Sequence, residues 1–188
     1  MLKEIILIFY SFMVVFGHPP KCYLPQAKGT SSNCSYEASI RYHFDPKTNI
    51  CHAFKYEGCG GNVNNYETPG DCGQNCNVDE KTYIQCALGA PPIFDSRGNN
   101  NCPLTSEETG EGCESDEAVC KYFSTMALCC NKTVEVGLKE DQSTTCPSGK
   151  SRWQIGGITV LAKTCDDVIC PNGYTCQNGM FFSYCCEN

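Results

Sequence analysis

The sequence predicts a small, disulfide-rich fold in three parts. An α+β module, a twisted β-hairpin with a carboxy-terminal helix, is followed by two six-cysteine modules of short strands and irregular chain. Three observations carry this. The 188 residues include 18 cysteines, all after residue 17 and about a tenth of the chain beyond it, a density typical of exported disulfide scaffolds. The stretch from Cys51 to Cys76 combines strand, turn and helix signals with four cysteines. Two later stretches, 86–130 and 146–188, repeat one cysteine pattern.

Residues 1–17 read as a secretory leader: Lys3 precedes an apolar run of 12 residues from Ile5 to Phe16, and Val15-Phe16-Gly17 supplies a cleavage site. That run is short of the roughly 18 apolar residues needed to span a bilayer, and no later stretch reaches that length, so no membrane span is expected. The mature protein is expected to be secreted and extracellular. Modules of about 40 to 60 residues bury too little apolar surface to be stable unaided, so crosslinks must supply much of the stability.

Within 18–77, Ile50, His52, Phe54 and Tyr56 alternate with Cys51, Ala53 and Lys55, the period of a strand whose two faces meet different surroundings. Thr68-Pro69-Gly70-Asp71 reads as a helix start, with Thr68 as cap, Pro69 in the first turn and Asp71 closing a capping box. Cys72 and Cys76 then share one helix face.

This stretch resembles the Kunitz, or pancreatic trypsin inhibitor, family. The residues that carry the resemblance are Phe54, Gly58-Cys59, Tyr66 and Cys72 at the family's spacings, with Arg41-Tyr42-His43-Phe44 like its first strand, Asp45 to Asn49 like its hairpin turn and Asn64-Asn65-Tyr66 like its buried asparagine and aromatic. Six cysteines allow many pairings. The resemblance implies Cys22 with Cys76, Cys34 with Cys59 and Cys51 with Cys72, each worth roughly 3 to 4 kcal/mol on a chain-entropy estimate.

The resemblance also implies a serine protease inhibitor that presents a rigid, substrate-like loop and loses little entropy on docking. The expected contact surface is Asn33, Cys34, Ser35, Tyr36 and Glu37 with the Gly58-Cys59-Gly60 ridge. Counting forward from Cys34 makes Ser35 the specificity residue, which suits an elastase-like protease; counting back from Arg41 makes it Tyr36, which suits a chymotrypsin-like one. Neither suits trypsin. The loop is longer than is usual in the family on both sides of Cys34. Asn33-Cys34-Ser35 is a glycosylation sequon, as is Asn131-Lys132-Thr133, so glycans are expected at Asn33 and Asn131.

Residues 78–85 read as a linker. Cysteines 86, 102, 113, 120, 129 and 130 form the first copy of the repeat and 146, 165, 170, 176, 185 and 186 the second, each closing with Cys, eight residues, Cys-Cys. The copies, 86–130 and 146–188 with 131–145 as a linker between them, resemble lustrin-type cysteine-rich repeats. Tyr122-Phe123 and Phe181 to Tyr184 are expected on the strand that carries each Cys-Cys.

The formal net charge of -7 comes from the middle of the chain, notably Glu107, Glu108, Glu111, Glu114, Asp116 and Glu117, read as a solvated acidic segment. No basic stripe points to nucleic acid. Three histidines and oxidised cysteines offer neither a catalytic pair nor thiolate ligands, so no enzyme, metal or cofactor is expected. The second class of function compatible with the sequence is an extracellular matrix or interaction protein that keeps the Kunitz fold as a non-inhibitory scaffold.

Overall fold

A computed structural model describes residues 18–76, 84–104 and 112–188. The expected leader at 1–17, most of the linker at 78–85, and Glu107, Glu108 and Glu111 lie outside the described residues.

The first module is built on two antiparallel strands, β1 (Ser39–Asp45) and β2 (Ile50–Tyr56), paired from Ser39 with Tyr56 to Asp45 with Ile50. Asp45 makes the turn: its carboxylate accepts the Lys47 N–H at 3.0 Å and its carbonyl the Asn49 N–H at 2.8 Å, while Asn49 takes the left-handed φ of 57° that asparagine tolerates. Asn64, 1% exposed, satisfies the chain crossing beneath. Its amide nitrogen donates to the carbonyls of Cys22, Leu24 and Phe44, and its oxygen accepts the Phe44 N–H. Helix α1 (Pro69–Cys76) starts at Thr68, whose hydroxyl oxygen accepts the Asp71 N–H at 3.0 Å. The Asp71 carboxylate accepts a hydrogen bond from the Thr68 hydroxyl at 2.8 Å, a variant of the capping box. The helix is fastened twice, Cys72 to Cys51 and Cys76 to Cys22, and Cys34 joins Cys59.

The two later modules share one pattern of bonds. Numbering the six cysteines of each in order, first joins sixth, second joins fourth and third joins fifth: Cys86–Cys130, Cys102–Cys120 and Cys113–Cys129, then Cys146–Cys186, Cys165–Cys176 and Cys170–Cys185. Each is carried on a hairpin, β3 (Ala118–Tyr122) with β4 (Ala127–Asn131) and β7 (Tyr174–Asn178) with β8 (Ser183–Glu187), with Cys120 opposite Cys129 and Cys176 opposite Cys185. Neighbouring side chains of a strand point to opposite faces, which is why each adjacent Cys-Cys pair reaches two partners. Phe182 precedes and Tyr184 lies on the Cys-Cys strand β8, but Tyr122 lies on the opposing strand β3. A short hairpin, β5 (Gln154–Ile155) with β6 (Ile158–Thr159), belongs to the third module.

The stretch 131–145, expected as a linker, contains helix α2 (Lys132–Asp141). Asn131 ends β4 and caps α2, its side-chain oxygen accepting the Val134 N–H at 3.1 Å. Glu135 reaches back to the second module, accepting the Ala87 N–H at 2.6 Å and pairing with Lys121 at 3.2 Å. Asp141 reaches forward to the third. Replacing Asn131 with alanine is expected to cost about 1 kcal/mol of stability, the usual worth of a cap. Asn131→Asp keeps the acceptor while removing the sequon, so thermal unfolding of the two variants separates the cap from any glycan.

The third module packs on the first. The Ala53 N–H donates to the Leu161 carbonyl at 2.6 Å, and Ala162 pairs in turn with Ser183 of β8. The free edge of the first hairpin is thereby covered, as a sheet edge must be. Val160, Ala162, Val168 and Cys185 join Tyr42, Phe44, Ala53 and Tyr66 in one buried cluster. His52, Ala53 and Phe54 are all buried, so the centre of β2 shows no alternation between covered and open faces. Among the described residues no helix is long and apolar enough to cross a membrane.

Candidate functional site

Two segments run side by side beneath the loop. The Lys28 carbonyl accepts the Glu57 N–H at 2.8 Å, and Thr30 and Cys59 exchange N–H to carbonyl bonds at 2.8 and 3.2 Å. Beyond Thr30 the chain turns back. The Thr30 hydroxyl oxygen accepts the Ser32 N–H at 3.0 Å, the Ser31 carbonyl accepts the Cys34 N–H at 3.3 Å, and Asn33 has a left-handed φ of 56°. Cys34 is then bonded to Cys59, and Ser35, Tyr36, Glu37 and Ala38 cross the exposed end before Ser39 begins β1.

Gly58 permits this crossing. Its φ is +106°, and a Cβ there would stand 2.5 Å from the Tyr36 carbonyl oxygen and 2.9 Å from the Cys34 sulfur. Any other residue would push the loop outward. Tyr36 is 74% exposed and borders a hollow of about 360 Å³ with Glu37, Ser39, Arg41, Tyr56 and Gly58. Arg41 is fixed at its floor by Glu67 at 2.9 Å and by the Tyr56 ring 5.9 Å away. The Tyr56 hydroxyl donates to the Gly60 carbonyl at 2.8 Å.

The fold therefore brings Cys34 and Tyr36 against Gly58 and Cys59, with Glu37 bordering the same hollow as Gly58; Asn33 and Ser35 adjoin them along the chain, Gly60 stands clear beside Cys59, and Asn131 lies far along the chain at the start of α2. Asn33, Ser35 and Tyr36 are all exposed. Cys102, Cys113 and Cys129 bring three sulfurs together, as Cys86 and Cys130 do beside Glu135, but these sulfurs are in disulfides and offer no thiolate.

Four residues meet in two ion pairs at the seam between the first and third modules, and no sequence pattern pairs them. Lys28 pairs with Asp167 at 2.5 Å and Lys163 with Asp45 at 3.2 Å. Burial opposes ionisation of Asp167, yet hydrogen bonds from Lys28 and Thr164 and the Lys28 charge hold its carboxyl below the usual carboxylate range. Their partners are more than a hundred residues apart, beyond the reach of any local spacing.

A cysteine-stapled hairpin and helix presenting a disulfide-pinned loop define a Kunitz-type protein, and the family model of the Kunitz/bovine pancreatic trypsin inhibitor domain matches residues 21–77. The chain belongs to this family. It is 35% identical over 178 residues to the major allergen Ani s 1 of Anisakis simplex, covering 89% of this chain and 87% of that protein. It is 23% identical over 155 residues to a BPTI/Kunitz inhibitor domain-containing protein of Caenorhabditis elegans, covering 80% and 81%. Over 56 residues it is 43% identical to a Kunitz-type serine protease inhibitor of Eristicophis macmahoni, covering 29% of this chain and 82% of that one. The first two similarities are too long to be confined to the Kunitz domain.

Proposed function

We propose that the chain is a secreted serine protease inhibitor whose loop around Ser35 and Tyr36 enters a chymotrypsin-like or elastase-like protease, and that trypsin is not its target. The observation that carries this is Tyr36, 74% exposed over Gly58 on a loop tied down by Cys34–Cys59. A fixed loop with one projecting aromatic side chain loses little freedom on docking and supplies an anchor for a deep apolar pocket. Kunitz-type inhibitors among the relatives support the class of activity. Secretion is supported by nine disulfides with no free cysteine, which need an oxidising compartment. We read the two later modules as lustrin-type repeats that support or anchor the inhibitor; their common bonding pattern favours a shared origin.

One observation favours the second reading, an extracellular matrix or interaction protein. Asn33, the residue before Cys34, is left-handed rather than extended and lies in a sequon. A protease clamps an extended segment, and a glycan at Asn33 would stand beside it. Titration of the oxidised protein against chymotrypsin, elastase and trypsin, before and after enzymatic deglycosylation, decides between the two. Stoichiometric inhibition of chymotrypsin, weakened at least about thirtyfold by Tyr36→Ala, is the expected result. A correctly folded, deglycosylated sample that inhibits none of the three would shift the assignment to the interaction protein.

A further inference from the structure

We infer that the third module clamps the support of the exposed loop, with Asp167 as a positioning residue acting through Lys28. This rests on the inhibitor reading of the loop and adds a means by which a distant module controls it. The loop stands on the segment 57–59, which carries the Cys59 end of its disulfide and places Gly58 under Tyr36. That segment is held on its other side by 28–30, through the Glu57, Thr30 and Cys59 N–H bonds. Lys28 is thus the start of the loop's footing, and its ammonium is taken by a carboxylate from outside the Kunitz domain at 2.5 Å.

Asp167 is built to hold that position. It is 8% exposed, its Oδ2 accepts the Thr164 hydroxyl at 2.9 Å, and its own N–H donates to the Thr164 carbonyl at 3.0 Å. The turn at Cys165–Asp167 that carries it is bonded through Cys165 to Cys176, and Val168 enters the cluster shared with Tyr42 and Ala53. The carboxylate is consequently fixed before Lys28 meets it, so the pair restrains the lysine and, through the lysine's own backbone carbonyl, Glu57. Lys163 with Asp45 holds the opposite end of the hairpin and leaves the loop's footing to Lys28.

The test is made in the full chain with Asp167→Asn, Lys28→Ala, Lys28→Arg and the reversed pair Lys28→Glu with Asp167→Lys. Amide hydrogen exchange at Thr30, Glu57 and Cys59 is followed alongside the inhibition constant for chymotrypsin at low and high salt. Loss of either partner is expected to speed exchange at those three amides and to weaken inhibition by about fivefold at low salt, the difference shrinking toward nothing near 1 M salt. Lys28→Arg and the reversed pair are expected to restore both. Exchange at the three amides that stays at the wild-type rate in Asp167→Asn and Lys28→Ala overturns the clamp, as does faster exchange that neither restoring variant reverses. If the wild-type chain inhibits no protease, the inhibitor reading fails by itself and the clamp is still decided by exchange.

Discussion

Asp141→Ala is expected to lower stability by about 3 to 5 kcal/mol. The Asp141 carboxylate is 2% exposed and accepts three successive backbone N–H groups, those of Met180, Phe181 and Phe182, at 2.9, 2.7 and 2.9 Å. These lie between β7 and β8, where the chain reverses and has no strand partner for them. Removing the acceptor leaves one buried and two half-buried donors unsatisfied, at about 1 to 3 kcal/mol each before water entry reduces the sum. Gly179 leaves the room the carboxylate occupies, since a Cβ there would collide with its oxygen. Asp141→Asn is a sharper probe, since it keeps the shape and one acceptor oxygen but sets an NH2 group against the donors of the other, Met180 alone or Phe181 with Phe182, and it too is expected to be severe. At a few degrees per kcal/mol for a chain of this size, the melting temperature of the alanine variant should fall by about 10 °C with all disulfides intact. A fall of less than about 2 °C would show that the carboxylate is not what holds this turn.

The same aspartate marks the limit of what the sequence discloses. Local signals placed the first module's parts well: Thr68 and Asp71 start α1, and Asp45 and Asn49 turn the hairpin, because caps and turns are made by residues a few positions apart. The Cys34–Cys59 bond beneath the loop was also legible, since the Phe54, Gly58-Cys59, Tyr66 and Cys72 spacing is shared by a family. The repeat announced itself through its closing cysteines, although its bonds could not be paired without the strands that set Cys120 against Cys129 and Cys176 against Cys185. Helix α2 was not legible. Val134, Gly137 and Leu138 give a short, weakly apolar face, and the helix is held by side chains at its ends, Glu135 to the second module and Asp141 to the third.

Contacts between modules were likewise hidden. The strand β2 reads as two-faced, but its second surface is covered by residues 160–162, so that His52 and Ala53 are both enclosed. A histidine on a small domain's hairpin is expected at the surface only if nothing else folds over it. The relatives that align across most of the chain are therefore the more informative comparison for the seam, and the short inhibitors the more informative for the loop.

That covered histidine is expected to make the protein acid-sensitive. His52 is 1% exposed, lies against Phe182 of the third module with ring centres 6.2 Å apart, and faces His43 at 5.4 Å. Burial, then the charges of Lys163 and His43, push its pKa down to about 4 against the weaker pull of Asp45, whose carboxylate is 4.0 Å from Nε2; Asp167 also bears on it electrostatically. The unfolded chain would protonate His52 near pH 6.5, so between that value and about 4 it binds more protons than the folded protein. Stability is consequently full above about pH 6.5 and declines as the pH falls toward 4, by about 3 kcal/mol for this one residue. His43, lowered chiefly by burial, adds loss of the same sign. Asp45 and Asp167, both held below the usual carboxylate range, surrender their contributions only at still lower pH. Denaturant unfolding of the wild type and His52→Leu across about pH 4 to 7 checks this. The variant should show a much flatter profile and be the more stable of the two at the acid end; equal slopes would mean that a proton reaches the folded seam without disturbing it.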